Sequence, residues 1–196
     1  IPIAKPFIGE EEKQAVVQVL SSGQLTSGPK VAEFEKAFAA YHGAKHGVAM
    51  SNGTTALMAA MMAHDIGPGD EVIIPSFSFF ATASCILSTG ARPVFADIDP
   101  DTFNLSPEAA EAAITPKTKA IMPVHLYGLP ANMAAFEAIC QKHGLILLED
   151  SAQAHLAAIG DRHVGTWGTA SFSFYPTKNM TTTEGGMVLT NDDEIA

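Results

Sequence analysis

From Gly47 onward, short and unbroken apolar runs alternate with longer stretches whose apolar residues recur at helical spacing. The runs Gly47–Ser51, Glu71–Pro75, Arg92–Asp97, Lys119–Val124, Leu145–Asp150, Ala170–Phe174 and Gly186–Thr190 predict strands. Between them, Thr54–Asp65, Ala81–Thr89, Ser106–Ile114 and Asn132–His143 predict helices. The strands are apolar throughout rather than alternating, as expected when helices cover both faces of a mostly parallel sheet. Gly67-Pro68-Gly69 and Asp99-Pro100-Asp101 mark loops. Ahead of the sheet, Glu10–Ser22 and Val31–Tyr41 predict two amphipathic helices joined by the polar segment SSGQLTSGP. The expectation is an α/β fold of three layers, α/β/α, around a mostly parallel central sheet. Residues 1–45 form an N-terminal helical segment packing on a domain over 46–196. The closing Asn-Asp-Asp-Glu-Ile-Ala reads as the start of another helix, which predicts a fold incomplete at its C-terminal end.

Composition narrows the function. Apolar residues make up 47% of the chain and charged residues 16%, enough for a large core and too apolar for disorder. With 11 Lys and Arg against 21 Asp and Glu, the formal charge is −10, which argues against nucleic acid or an anionic membrane surface as partner. No apolar run approaches the roughly 20 residues that span a bilayer. The opening Ile-Pro-Ile-Ala-Lys-Pro has no secretory pattern and no initiator Met, so a processed or trimmed start is expected. Cys85 and Cys140 lie in apolar helical stretches without partners at metal-ligand spacing, which reads as two buried free thiols of a cytoplasmic protein.

Three polar clusters fall at predicted strand ends, where open parallel sheets bind ligands. Ser51-Asn52-Gly53-Thr54-Thr55 combines a glycine with the amide groups of a helix start, a combination suited to phosphate, although Asn52 or Thr54 could simply cap the helix. Glu149-Asp150-Ser151-Ala152-Gln153 follows the apolar LILL and offers a carboxylate that could cap the next element or keep a ring nitrogen protonated. In Ser171-Phe172-Ser173-Phe174-Tyr175-Pro176-Thr177-Lys178-Asn179, Lys178 stands among hydroxyls and small residues. Its amine could form an imine with an aldehyde cofactor and then shuttle a proton. His42 and His46 have metal-ligand spacing, but the intervening Gly43 argues for a loop and against a metal site. His125 and His155 follow strand ends and read equally as pocket, capping or core residues. Phe77, Phe79 and Phe80 are core by default, with one of them able to lie flat on a planar cofactor.

The ordered set IPIAKPFIGEEE, LTSGPKVAEFE, SNGTTAL, GPGDEVIIPSFSFFATA, PVFADID, HLYG, LEDSAQAH, FSFYPTKN and TTEGGMVLT covers essentially the whole chain. It resembles the DegT/StrS-type sugar aminotransferases, fold-type-I enzymes that use pyridoxal phosphate to place amino groups on nucleotide-linked keto-sugars. The resemblance implies that Lys178 carries the coenzyme as an imine and Asp150 partners its pyridine nitrogen. It further implies that Phe79 stacks on the ring, Gln153 faces the phenolic oxygen, and Gly53, Thr54 and Ser173 hold the phosphate. It makes 46–196 the coenzyme-binding large domain without the family's C-terminal small domain. L-glutamate is the implied donor, a nucleotide keto-sugar the acceptor, and a homodimer with shared sites the assembly. Thr183 and Leu156 stand where the family usually has Gly, and Thr169 where it usually has Asp. Two alternatives stay open: another pyridoxal-phosphate reaction such as deoxysugar dehydration, whose enzymes replace the lysine present here, and a non-catalytic regulator.

Overall fold

The computed structural model describes residues 4–196; Ile1, Pro2 and Ile3, the start of the N-terminal motif and of the 1–45 segment, lie outside the described residues. In chain order the helices are α1 (Glu10–Ser22), α2 (Pro29–His42), α3 (Gly53–Ala63), α4 (Ala81–Ser88), α5 (Pro107–Ala112) and α6 (Met133–His143). The strands are β1 (His46–Met50), β2 (Glu71–Pro75), β3 (Arg92–Ala96), β4 (Thr118–Ile121), β5 (Ile146–Asp150), β6 (Ala158–Ile159), β7 (Arg162–His163), β8 (Thr169–Ser173) and β9 (Gly186–Thr190). Seven strands form one sheet in the order β1-β9-β8-β5-β4-β2-β3. Pairing is parallel from β3 through β2, β4 and β5 to β8, and antiparallel on both edges of β9. Only β9 therefore runs against the rest, and the expected mostly parallel α/β sheet is what forms.

Alternation along the strands sends neighbouring side chains to opposite faces. Val72 and Ile74 of β2 pack with Leu57 and Met61 of α3 and Cys85 and Ile86 of α4. Ile73, between them, packs with Ile121 of β4 and with Met133, Phe136 and Ile139 of α6. In β9, Val188 meets Ala56 and Ala60 of α3, whereas Met187 and Leu189 pack with Phe38 and Ala39 of α2. Helices thus cover both faces, giving the three layers. Within the N-terminal segment, α2 buries Phe38, Ala39 and His42, and α1 buries no residue.

The two-residue strands β6 and β7 form a separate hairpin, for which the sequence pattern predicts no element. No helix among the described residues is long and apolar enough to cross a membrane. Cys85 and Cys140 are buried free thiols whose pKa burial pushes up to about 12, with the Asp150 charge adding to it at Cys85.

Candidate active site

The C-terminal ends of β1, β2, β5 and β8 deliver the predicted residues to one edge of the sheet. At the end of β1, Asn52 caps α3: its side chain accepts from the Thr55 amide at 2.9 Å, and the Thr55 hydroxyl lies 3.1 Å from the Asn52 amide, placed to accept from it. Capping stops at that third amide. The first-turn N–H groups of Gly53 and Thr54 have no carbonyl one turn back to bond, and such amides are suited to an anion. Gly53 is needed for space, because a Cβ there would lie 2.7 Å from the Ser173 Cβ. Gly186 of β9 is bare for the same reason, since a Cβ would collide with the Asn52 carbonyl. Two glycines therefore let the helix start, β8 and β9 meet backbone to backbone, with the Ser173 side chain beside the open amides.

Neighbouring acids at the end of β5 part ways. Glu149 is fully buried on one face, where Oε1 accepts from the Trp167 and Gly168 amides at 2.9 Å each. Its Oε2 accepts from the Gly165 amide at 2.9 Å and from His125 Nε2 at 3.1 Å. His125 Nδ1 accepts from the Ala131 amide at 3.0 Å, which fixes the proton on Nε2. Burial alone would raise the Glu149 pKa, but the His125 bond and the amide donors overcome it and the group stays an anion. Glu149 and His125 are thus structural, locking the 165–168 loop.

Asp150 faces the other way and is 4% exposed. Oδ2 accepts from the Thr82 hydroxyl at 2.8 Å, and Oδ1 accepts from the Ala152 amide at 3.2 Å. Burial raises its pKa, opposed by those bonds and by the Lys178 charge. Lys178 is half-buried in the turn after β8. Burial lowers its pKa and the Asp150 charge works against that shift, so amine and carboxylate share one environment. Both groups are pushed toward neutrality, a pattern that marks functional sites.

Gln153 completes the cluster. Its Oε1 accepts from the Tyr127 amide at 2.7 Å, so the side-chain NH2 is the end left to donate. Tyr127 holds a left-handed φ of 54° and Gly128 one of 87°, folding the HLYG segment beneath Gln153. Phe77, Phe79 and Phe80 are exposed rather than core; Phe79 is 62% accessible, with its ring centroid 4.5 Å from that of Phe80. His155 is buried in an aromatic cluster with Phe38, Phe172 and Phe174, and its Nε2–H donates to the Ser173 carbonyl at 2.8 Å. His42 donates to the Val164 carbonyl at 2.8 Å, and no metal-binding cluster occurs among the described residues. Thr82 is the site residue that sequence reasoning passed over: a helical threonine in an apolar run gave no sign of its partner, 68 positions away.

Taken together, one edge offers open amides beside a hydroxyl, an amide donor, a buried carboxylate, a half-buried amine and an exposed ring face. This donor set fits pyridoxal phosphate, whose phosphate, phenolic oxygen, ring nitrogen, aldehyde and flat ring need those five things.

Known proteins share both sequence and fold. SpsC, a spore coat polysaccharide biosynthesis protein of Bacillus subtilis (strain 168), is 52% identical over 197 residues, covering 100% of this chain and 51% of its own. The crystal structure of 3-amino-5-hydroxybenzoic acid synthase superposes with a TM-score of 0.94 at 44% identity, covering 97% of this chain and 50% of that one. An aminotransferase from Psychrobacter cryohalolentis gives a TM-score of 0.95 at 43% identity, covering 98% and 50%. The chain spans about half the length of the relatives it matches. A family model described as the DegT/DnrJ/EryC1/StrS aminotransferase family matches residues 6–196, and the chain belongs to that family.

Proposed function

We propose that this chain supplies the coenzyme-binding half of a pyridoxal-phosphate-dependent aminotransferase that moves an amino group from L-glutamate to a nucleotide-linked keto-sugar, working as a homodimer. The family is pyridoxal-phosphate-dependent, and the polysaccharide role carried by the name of SpsC supports a sugar acceptor. The observation that carries the reading is the shared burial of Asp150 and Lys178 at the strand ends, beside the Gly53–Ser173 cradle.

Each residue then has a physical task. The Gly53 and Thr54 amides, at the positive end of α3, hold a phosphate together with the Ser173 hydroxyl. The Gln153 NH2 donates to the phenolic oxygen, and Phe79 lies against one ring face. Asp150 keeps the proton on the ring nitrogen by its negative charge in a dry setting. Bound there, pyridoxal phosphate supplies an aldehyde for the amine and a ring that takes up the electron pair left when the donor's Cα–H bond breaks. Lys178 has a lowered pKa, so more of its amine is neutral, and its Nζ could take up the donor's Cα proton and give it back.

Borohydride reduction of the coenzyme-loaded protein followed by peptide mapping should place the pyridoxyl label on Lys178. A label on Lys5, Lys45 or Lys142, or no label at all, refutes the reading.

A further inference from the structure

Behind Asp150 runs a short chain of hydroxyls that the tasks above leave unused. Thr82 Oγ1 lies 2.8 Å from Asp150 Oδ2, and Ser78 Oγ lies 2.6 Å from Thr82 Oγ1. A hydroxyl has one proton to give. With Asp150 ionised, Thr82 must spend its proton on the carboxylate, so the Ser78 contact can only be Ser78 donating to Thr82. The order Ser78 to Thr82 to Asp150 is therefore fixed by charge, and each link polarises the next. Thr82 is 1% exposed on the first turn of α4, whereas Ser78 is only partly buried in the loop before it. The second carboxylate oxygen receives only the longer 3.2 Å bond from Ala152.

We infer that Thr82 is a positioning residue, held in orientation by Ser78, that keeps Asp150 charged and aimed at the ring nitrogen of the coenzyme; this rests on the coenzyme reading above. The groups around Asp150 are Thr82 and Cys85 from α4, Lys178 after β8, and His125 after β4, whose ring is bonded to Glu149 on the other face. Of these, Thr82 gives Asp150 a direct hydrogen bond, and hydrogen bonds to a charged group are the ones that hold a buried carboxylate ionised. Burial works the other way, so removing the hydroxyl should tip the group toward its neutral form.

The test compares Thr82→Val, which keeps the shape, Thr82→Ser, which keeps the hydroxyl, and Ser78→Ala, which breaks the outer link. The Asp150 carboxyl is titrated by 13C NMR in coenzyme-free protein, its resonance assigned with Asp150→Asn. Coenzyme affinity and the pH dependence of the coenzyme's absorbance are then measured in loaded protein. Thr82→Val should titrate Asp150 about one pH unit higher and bind coenzyme about tenfold more weakly, as expected for losing one hydrogen bond to a charge. Thr82→Ser should restore both, and Ser78→Ala should fall between. Wild-type behaviour of Thr82→Val, or a Thr82→Ser variant no better than it, overturns the inference. Wild-type protein that takes up no coenzyme overturns the coenzyme reading instead, and the carboxyl titration then still decides whether Thr82 sets the Asp150 charge.

Discussion

At the scale of single residues, Leu156 and Thr183 hold backbone conformations that glycine enters freely, with φ of 59° and 70°. These are the two positions where the resemblance leads one to expect glycine, so the backbone has kept the glycine conformation under a side chain that resists it. A left-handed residue with a Cβ costs about 1–2 kcal/mol, and a β-branched one lies at the costly end. Glycine returns some of that by giving the unfolded chain about 0.4–1 kcal/mol more freedom. Leu156 is only 39% exposed and would also lose packing, so its exchange should roughly cancel. Thr183 is exposed, and the cost of its φ is not offset by burial. Thr183→Gly should therefore gain about 0.5–1 kcal/mol and raise the melting temperature by about 2 °C, with Thr183→Ala gaining less. A drop in melting temperature for the glycine variant would show that the threonine side chain stabilises this turn.

Among elements, the end of β8 depends on a buried imidazole. His155 reaches from the loop after β5 to the Ser173 carbonyl, and burial drives its pKa down to about 4. Unfolded, it would take a proton near pH 6.5, so below that pH the unfolded state binds more protons and stability falls. The loss builds from about pH 6.5 down to about pH 4 and reaches roughly 3 kcal/mol in order of magnitude, at about 1.4 kcal/mol per unit. His42 and His64, lowered by burial, act in the same direction, while Asp150, raised by burial, works against them at the acid end. Urea unfolding midpoints should fall between pH 7 and pH 5, and His155→Gln, which can still donate to Ser173, should flatten the slope. An unchanged slope would assign the acid sensitivity to other groups. Elements whose register rests on local pattern were legible beforehand: α1, β2 and β9 begin and end where the sequence predicts. The apolar run predicts β4 to Val124, but the strand stops at Ile121, because Pro123 has no amide for the ladder and Val124 keeps only a bridge to Asp150. Strands as short as β6 and β7 carry no periodicity to read. Lys178, Asp150 and Gln153 were legible as candidates because their motifs are contiguous. The Thr82–Asp150 bond and the outward turn of Phe79 and Phe80 arise from tertiary placement alone, which no local pattern encodes.

For the molecule as a whole, the placement of positive charge sets what 196 residues can do. The proposed glutamate donor has two carboxylates and the proposed nucleotide-sugar acceptor a diphosphate, and such groups are best held by arginine forks. The chain has two arginines, and both are committed elsewhere. Arg92 pairs with Glu71 at 3.0 Å at the start of β3, the opposite end of the sheet from the candidate site. Arg162 pairs with Glu137 at 3.2 Å, donates to the Thr166 carbonyl and lies 3.7 Å over the Trp167 ring. Lys13, Lys30, Lys45, Lys119 and Lys142 likewise pair with acids on the surface. Lys178 itself is reserved for the coenzyme in the proposed mechanism. Coenzyme uptake and substrate anchoring should therefore separate: these residues carry a donor set for the first and no uncommitted arginine for the second. Residues 1–196, loaded with pyridoxal phosphate, should form the Lys178 adduct yet convert glutamate slowly, at least tenfold below a protein of the relatives' full length, the difference lying mainly in glutamate affinity. Stopped-flow absorbance of the glutamate half-reaction against glutamate concentration measures both quantities. A 196-residue protein that saturates with glutamate as readily as its longer relatives would mean that carboxylate anchoring lies within these residues after all, and Arg92→Gln and Arg162→Gln would then show which arginine leaves its ion pair to provide it.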